Sequence, residues 1–180
     1  MSPQLLTEPL SVYLNDHLTG SFAGGALALR MAGSHADSSR AAEMRRLAEE
    51  VVRDRDELVR IMDRLGVPVR HYRTWLGIAG ERITRLKSNG TLLRRSPLSD
   101  LIELEAMRTG VEGKTALWQA LLAIADDEPL LDQAELQRLE QRAHDQARTL
   151  KRWHRTVSAD VLSRRGEQAA GFRGVSPAHR

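Results

Sequence analysis

The sequence predicts an all-α protein in which four long helices form one bundle. In four long segments apolar residues return every three or four positions, as on a helix with one buried stripe, and no segment alternates as a strand does. Of the 180 residues, 41% are hydrophobic and only 4% aromatic, so leucine, alanine, valine and isoleucine must fill the core. We predict a single domain over residues 1–163, followed by a disordered basic tail over 164–180.

The first two helices have recognisable start and stop signals. Pro9 favours a helix start because proline suits the first turn, and Gly33 lies near the expected end. The second helix is expected to follow a cap at Ser38 or Ser39 and to end at Gly66, which tolerates the left-handed conformation of a helix terminus. The predicted buried residues are Leu10, Leu14, Leu18, Phe22, Ala26 and Leu29 in the first helix, and Met44, Leu47, Val51, Leu58, Met62 and Leu65 in the second.

The third and fourth helices begin at stronger signals. Ser96 followed by Pro97 is a typical helix start, and the third helix is expected to run to Asp126. The pattern Asp132-x-x-Glu135 is typical of a capping box and begins the fourth helix. The predicted buried residues are Leu101, Leu104, Val111, Trp118 and Leu122 in the third helix, and Leu136, Leu139, Ala143, Ala147, Leu150, Val157 and Val161 in the fourth.

The connections predict how the helices are arranged. About seven residues join the helices within each pair, a length that favours antiparallel neighbours. Between the pairs lies the segment 66–97, long enough to travel the length of a bundle and to carry a short helix over residues 72–86. We therefore predict two antiparallel hairpins joined by a long crossover.

The formal net charge of +3 is unevenly distributed. Residues 164–180 hold four arginines and one glutamate, which accounts for the whole excess, and residues 66–97 hold seven basic residues and one acidic residue. The remaining helical segments are therefore acidic, and charge complementarity within a monomer or between subunits explains this pattern most simply. We expect a homo-oligomer, a dimer or larger, with a protein partner as an alternative; DNA binding ranks third.

Several functional classes lose support. The chain has no cysteine, which excludes a disulfide scaffold, thiol catalysis and a thiolate metal site. No export signal is recognisable, and the most apolar windows span about 10 residues, whereas a membrane span needs about 20. We therefore expect a cytoplasmic protein without a membrane partner. No phosphate-binding loop, serine-nucleophile motif or zinc-protease motif is present.

Three short stretches, together with the helix order, carry a resemblance to a known family. They are Tyr13-Leu-Asn-Asp-His-Leu, Arg95-Ser-Pro-Leu-Ser and Gly110-Val-Glu-Gly-Lys. With them the chain resembles the ferritin-like superfamily, and within it a group of uncharacterised bacterial ferritin-like proteins. The resemblance implies a ferritin-like four-helix bundle. Active members of the superfamily bind two metals with a Glu from each of two helices and a Glu-x-x-His from each of the other two.

The resemblance also assigns ligand positions in the first two helices. His17 stands at the inward mid-helix position where the family usually carries Glu. Asp54 stands at the position of the family's His, and Val51 replaces the Glu expected three residues earlier. Glu50 is one residue away from that Glu position. The resemblance therefore implies an altered ligand set in this half of the bundle.

The other two helices match the family pattern in part. Glu112 occupies the position of the ligand Glu in the third helix, with Glu105 one heptad earlier. Glu140 matches the first half of Glu-x-x-His in the fourth helix, but Ala143 replaces the His and His144 is adjacent. The candidate metal ligands are therefore His17, Glu50, Asp54, Glu105, Glu112, Glu140 and His144.

Two hypotheses explain several inward acids at one level of a bundle. Carboxylates from Asp54, Glu112 and Glu140, with an imidazole from His17, would suit iron or manganese. Alternatively the acids pair with arginines near the stripe edges in a metal-free network. No complete Glu-x-x-His survives, so we favour the network. The predicted pairing partners are Arg55 and Arg108.

The sequence therefore predicts a degenerate dimetal site in a protein whose role is interaction or regulation rather than redox catalysis; if the protein is an enzyme, we expect a di-iron carboxylate oxidase. The alternatives are a variant di-iron or manganese carboxylate protein that oxidises or stores metal, and a mini-ferritin-like DNA-binding protein. The glycines within the first and third helices are expected to serve close helix packing, with room for a ligand as the alternative. Trp75 and Trp118 are expected in the core, and Trp153 at the rim of a partner surface.

Overall fold

The computed structural model describes residues 8–35, 39–69 and 97–163, and these residues form four helices and no strand. The helices are α1 (Glu8–Ser34), α2 (Ala41–Arg64), α3 (Pro97–Ile124) and α4 (Gln133–Leu162). The all-α, four-helix prediction is confirmed. The predicted short helix over residues 72–86, Trp75 and the tail 164–180 lie outside the described residues. None of the four helices is both long enough and apolar enough to cross a membrane.

Side-chain contacts establish the directions of the helices. Each of α1 and α4 runs antiparallel to both α2 and α3. It follows that α2 and α3 run parallel, so that α2 ends at one end of the bundle and α3 begins at the other. The contacts of α1 are Asn15 with Pro68 and Phe22 with Arg55, toward α2, and Arg30 with Glu103 and His35 with Asp100, toward α3. The contacts of α4 are Glu140 with Gln119 and His154 with Glu105, toward α3, and Glu135 with Arg64 and Trp153 with Glu43, toward α2.

The end of α2 follows the predicted signal. Gly66 adopts a φ of 67°, in the left-handed region that glycine tolerates best. The Gly66 N–H donates to the Asp63 carbonyl at 3.0 Å, and the Val67 N–H donates to the Met62 carbonyl at 2.9 Å. This pair of bonds is a Schellman motif, and it folds Val67 back into the core next to Met62.

The predicted cap is correct at the start of α4 and wrong at the start of α2. At α4 the Asp132 carboxylate accepts hydrogen bonds from the N–H groups of Ala134 and Glu135, at 2.8 and 3.1 Å, as a cap should. The Glu135 side chain is bound to Arg64 of α2. At α2 the predicted serine cap is wrong, because the N-cap residue is Arg40 and its side chain makes no capping hydrogen bond.

The buried stripes of α2, α3 and α4 agree closely with the prediction, whereas that of α1 does not. Leu14 and Leu18 are buried as expected, but Leu29 is 56% exposed and Ala26 is also exposed. The α1 helix carries apolar residues around much of its circumference, so periodicity alone fixes its inward face poorly. Beyond Leu18 its buried residues are Gly25, Ala28, Met31 and Ala32.

The tryptophans of the described residues both belong to the interior. Trp118 is 1% exposed, which confirms its predicted core position. Trp153 is 2% exposed, and its indole Nε1 donates to Glu43 at 2.9 Å. The prediction that Trp153 lies at the rim of a partner surface is therefore wrong, since the ring is enclosed by its own chain.

The apolar core is divided into two clusters along the bundle axis. One cluster contains Leu58 and Trp118, and the other contains Val51 and Val111. Between Val51 and Leu58 on α2, and between Val111 and Trp118 on α3, the buried stripe is interrupted by polar side chains. The middle of the bundle is therefore a polar layer.

Candidate functional site

The centre of the polar layer is the carboxylate of Asp54, which is only 1% exposed. Lys114 Nζ of α3 donates to one carboxylate oxygen, and Gln146 Nε2 of α4 donates to the same oxygen at 3.1 Å. Arg142 Nε, also of α4, donates to the other oxygen at 2.6 Å. One side chain of α3 and two of α4 thus converge on one buried anion of α2.

Lys114 is the unusual member of this layer, because a lysine amine is rarely buried. Its side chain is 15% exposed, and besides Asp54 it donates to the Gln146 amide oxygen. Burial lowers the pKa of the Lys114 ammonium below its usual value, and the attraction of Asp54 only partly offsets the loss of hydration.

The charges in the layer balance, but both cations contact the same carboxylate. Asp54 faces two cations, Lys114 and Arg142. Glu50 accepts a hydrogen bond from Gln146 Nε2 at 3.3 Å and is also paired, at 2.9 Å, with Arg46, whose side chain is 80% exposed to solvent. Asp54 and Glu50 therefore balance Lys114 and Arg142, and a further cation at Asp54 would meet two positive charges.

A cavity of about 620 Å³ lies beside the polar layer. Asp54 and Lys114 both line it, and the rest of its wall is mainly apolar. Its volume is within the usual range for a small-molecule site. The apolar wall includes Leu27, Val51, Leu58, Met107, Val111 and Leu117.

Glycines from α1 and α3 form the mouth of the cavity. Gly20 and Gly24 lie on the α1 side and Gly110 and Gly113 on the α3 side. A Cβ atom added at any of these four positions would meet no heavy atom within 4 Å. Close helix packing, the expected reason for these glycines, is therefore wrong at all four positions. The space in front of them is part of the cavity.

An aromatic and histidine pair lines one end of the cavity. His17 stacks edge-on against Tyr13, with ring centroids 4.5 Å apart and an interplanar angle of 68°. Burial lowers the pKa of His17, and the negative charge of Asp16 only partly opposes this shift. His17 therefore tends to be neutral, with ring nitrogens that can donate or accept a hydrogen bond.

Two of the predicted metal ligands on α3 point away from the core. Glu112 is exposed, so the inward orientation predicted for it is wrong. Glu105 is also exposed and lies 3.1 Å from Nε2 of His154 on α4. The inward positions in this part of α3 belong instead to Val111, Lys114 and Thr115.

The other predicted ligands are divided between two places. His17 and Asp54 both line the cavity. Glu140 lies on the surface between α3 and α4, where it accepts from Gln119 Nε2 at 2.9 Å and lies 3.6 Å from His144 Nε2. Within residues 8–35, 39–69 and 97–163, no three His, Asp or Glu side chains are grouped so as to hold a metal ion.

The residues at mid-bundle do not fit a dimetal centre. Both oxygens of Asp54 are already bound to cationic groups, Lys114 and Arg142. A divalent ion bound to Asp54 would lie beside these two positive charges at a buried carboxylate, which electrostatics strongly opposes. The structure does pair a buried acid with basic residues, as predicted, but the partners of Asp54 are Lys114 and Arg142. Arg55 pairs with Asp56 at 2.8 Å and not with Asp54.

Comparisons with protein-family models, with curated proteins and with solved structures found no significant match to the chain.

Proposed function

We propose that this protein is a ferritin-like bundle that works by binding and not by metal-dependent oxidation. In this proposal it holds a small, mainly apolar molecule in the mid-bundle cavity, and occupation of the cavity controls an interaction or regulatory role. The observation that carries the proposal is the buried Lys114 ammonium bound to Asp54, at the level where a ferritin-like protein would bind metal.

Three features support this proposal. The directions of the helices, with α2 and α3 parallel and neighbours antiparallel, agree with a ferritin-like order. The charge of Lys114 already neutralises Asp54, so a metal is not needed for that purpose. The cavity beside them is open at a glycine-lined mouth and has mainly apolar walls, as small-molecule sites do.

The first experiment separates this proposal from a di-iron or manganese protein. The full chain is incubated with iron(II) or manganese(II), desalted, and its bound metal is measured per chain. We expect far less than one ion per chain, with no change in Asp54→Asn. Glu112→Ala serves as a control at an exposed carboxylate. Near-stoichiometric metal that is lost in Asp54→Asn would contradict the proposal.

The second experiment tests binding directly with the neutral, apolar dye N-phenyl-1-naphthylamine, whose fluorescence rises in an apolar site. We expect saturable binding that is lost in Gly24→Leu, because the new side chain would fill the cavity mouth. Gly33→Leu is the matched control, since Gly33 lies in the same helix, faces open space and does not line the cavity. Equal loss of binding in both variants, or no binding to the wild type, would refute the proposal.

Self-association remains part of the proposal. The ion pair between Arg30 and Glu103 places Leu29 of α1 and Ile102 of α3 at the same level of the bundle, and each is 56% exposed. Two large apolar side chains exposed at one level of the bundle favour contact with a second apolar surface. Light scattering of the full chain tests this point. We expect a dimer or larger that shifts toward monomer in Leu29→Glu, and a monomeric wild type would exclude it.

A further inference from the structure

We infer that the ligand of the cavity is a monocarboxylate with an apolar body, whose carboxylate binds to Lys114 and Trp118. This inference rests on the proposed binding function and assigns its ligand class.

The first observation is a free hydrogen-bond donor at the polar end of the cavity. A lysine ammonium has three N–H donors, and Lys114 uses one for Asp54 and one for Gln146. Among the described residues no acceptor is recorded for the third. Since Lys114 lines the cavity and is still 15% exposed, this donor can reach a ligand there.

The second observation is the indole of Trp118. It is 1% exposed, and its Nε1 has no hydrogen-bond partner in the described part of the chain. Buried indole N–H groups usually find an acceptor, because an unpaired buried donor is costly. Trp118 lines the same cavity as Lys114 and lies four residues after it on α3, so the two side chains share one helix face. Both groups are donors, and the ligand must therefore offer acceptor oxygens.

The two donors select among acceptors. A cationic head group has no acceptor atom and would be repelled by the Lys114 ammonium. A neutral alcohol offers one oxygen for two donors, and a phosphate dianion would bring two negative charges into a cavity that the carboxylates of Asp54 and Asp16 already line. A monocarboxylate supplies two acceptor oxygens, one for each donor, and a single negative charge that faces the ammonium.

The remainder of the cavity selects the rest of the ligand. Away from Lys114 and Asp54 the walls are mainly apolar, from Leu27 at the α1 side to Leu117 on α3. An alkyl or aromatic body would be buried there, whereas the hydroxyl groups of a sugar would outnumber the few polar side chains that line the cavity. A small anion such as acetate lacks the apolar body and should bind poorly.

The test is displacement of N-phenyl-1-naphthylamine from the full chain by probes of one chain length: octanoate, 1-octanol and octylammonium, with acetate as the anion without an apolar body. We expect octanoate to bind at least tenfold more tightly than 1-octanol, and octylammonium and acetate to bind weakest. Lys114→Met should remove most of the preference for octanoate over 1-octanol, and Trp118→Phe should weaken octanoate about threefold to tenfold. Val59→Ala, at an exposed apolar position of α2 that does not line the cavity, should change neither.

The outcomes separate the ligand class from the binding function. If the dye binds in the cavity but 1-octanol or octylammonium equals or exceeds octanoate in the wild type, the carboxylate assignment is overturned while the binding function stands. This comparison needs no variant, so it holds even where Lys114→Met does not fold. If the dye does not bind, or binds equally well to Gly24→Leu, the binding function fails and the assignment fails with it.

Discussion

Replacement of Asp54 by asparagine is the most informative perturbation of the polar layer. The carboxylate is 1% exposed and is bound to Lys114, Arg142 and Gln146. The substitution leaves two cations facing a neutral amide at a buried position. Removal of one partner from a buried ion pair costs about 3 to 5 kcal/mol, a large share of the roughly 5 to 15 kcal/mol that stabilises a typical domain. A loss of about 10 °C in Tm follows for a chain of this size.

The double variant Asp54→Asn/Lys114→Met separates the ion pair from simple loss of packing. It removes the ammonium that the single variant leaves unpaired, and methionine keeps most of the buried side-chain volume. We expect the double variant to be more stable than Asp54→Asn alone, by about 1 to 2 kcal/mol. Asp56→Asn is the control, because its side chain is 49% exposed and should change stability by less than about 0.5 kcal/mol.

The assay is urea unfolding followed by the fluorescence of the buried Trp118 and Trp153. Coupling between the two substitutions would appear as a double-variant cost clearly below the sum of the single costs. Costs that add within about 0.5 kcal/mol, or an Asp54→Asn variant as stable as the wild type, would refute the assignment of Asp54 and Lys114 as a buried, mutually dependent pair.

Three further predictions follow from the same structure. Gly20→Ala should raise the free energy of unfolding by about 0.5 to 1 kcal/mol, because alanine favours the helix and its Cβ meets no atom within 4 Å; an unchanged or lower value would contradict this. The lowered pKa of His17 means that the unfolded chain binds the proton more tightly, so stability should fall as the pH drops below about 6.5, and His17→Gln should reduce that slope in urea titrations. The lowered pKa of Lys114 also makes stability increase with pH, but at higher pH. The free energy of unfolding should rise between the folded pKa of Lys114 and the usual value of 10.5, and this rise should be missing from Lys114→Met.

The helices and most of their ends could be predicted because local signals determine them. Gly66 ends α2 and Asp132 caps α4 through backbone geometry that depends on a few adjacent residues. The sequence does not locate the cap of α2, because Ser38 and Ser39 both have side chains suited to capping. The N-cap is the residue that directly precedes the first helical turn, and in this structure that residue is Arg40.

The inward face of α1 and the partners of Asp54 could not be predicted in the same way. Gly20 and Gly24 suggest close packing by sequence rules, but only the positions of α2 and α3 show that open space lies in front of them. Arg55 lies next to Asp54 in the chain, yet the helix turn directs it toward Phe22 and Asp56.

A usable signal for the polar layer was nevertheless present. Polar residues interrupt the apolar stripe at the middle of three helices: Asp54 on α2, Lys114 and Thr115 on α3, and Gln146 on α4. The family resemblance drew attention to Glu112, two residues before Lys114, which the helix period turns away from the core. Helical spacing from Val111 and Trp118 selects Lys114 and Thr115 instead.

The central claim is that Lys114, and not a metal ion, neutralises the Asp54 carboxylate at mid-bundle. A crystal structure of the full chain, grown or soaked with manganese(II) and recorded with anomalous scattering, tests this claim most directly. We predict Lys114 Nζ within hydrogen-bonding distance of Asp54 and no anomalous peak at that carboxylate. A manganese peak coordinated by Asp54 and Glu50, with Lys114 displaced from the layer, would contradict the claim.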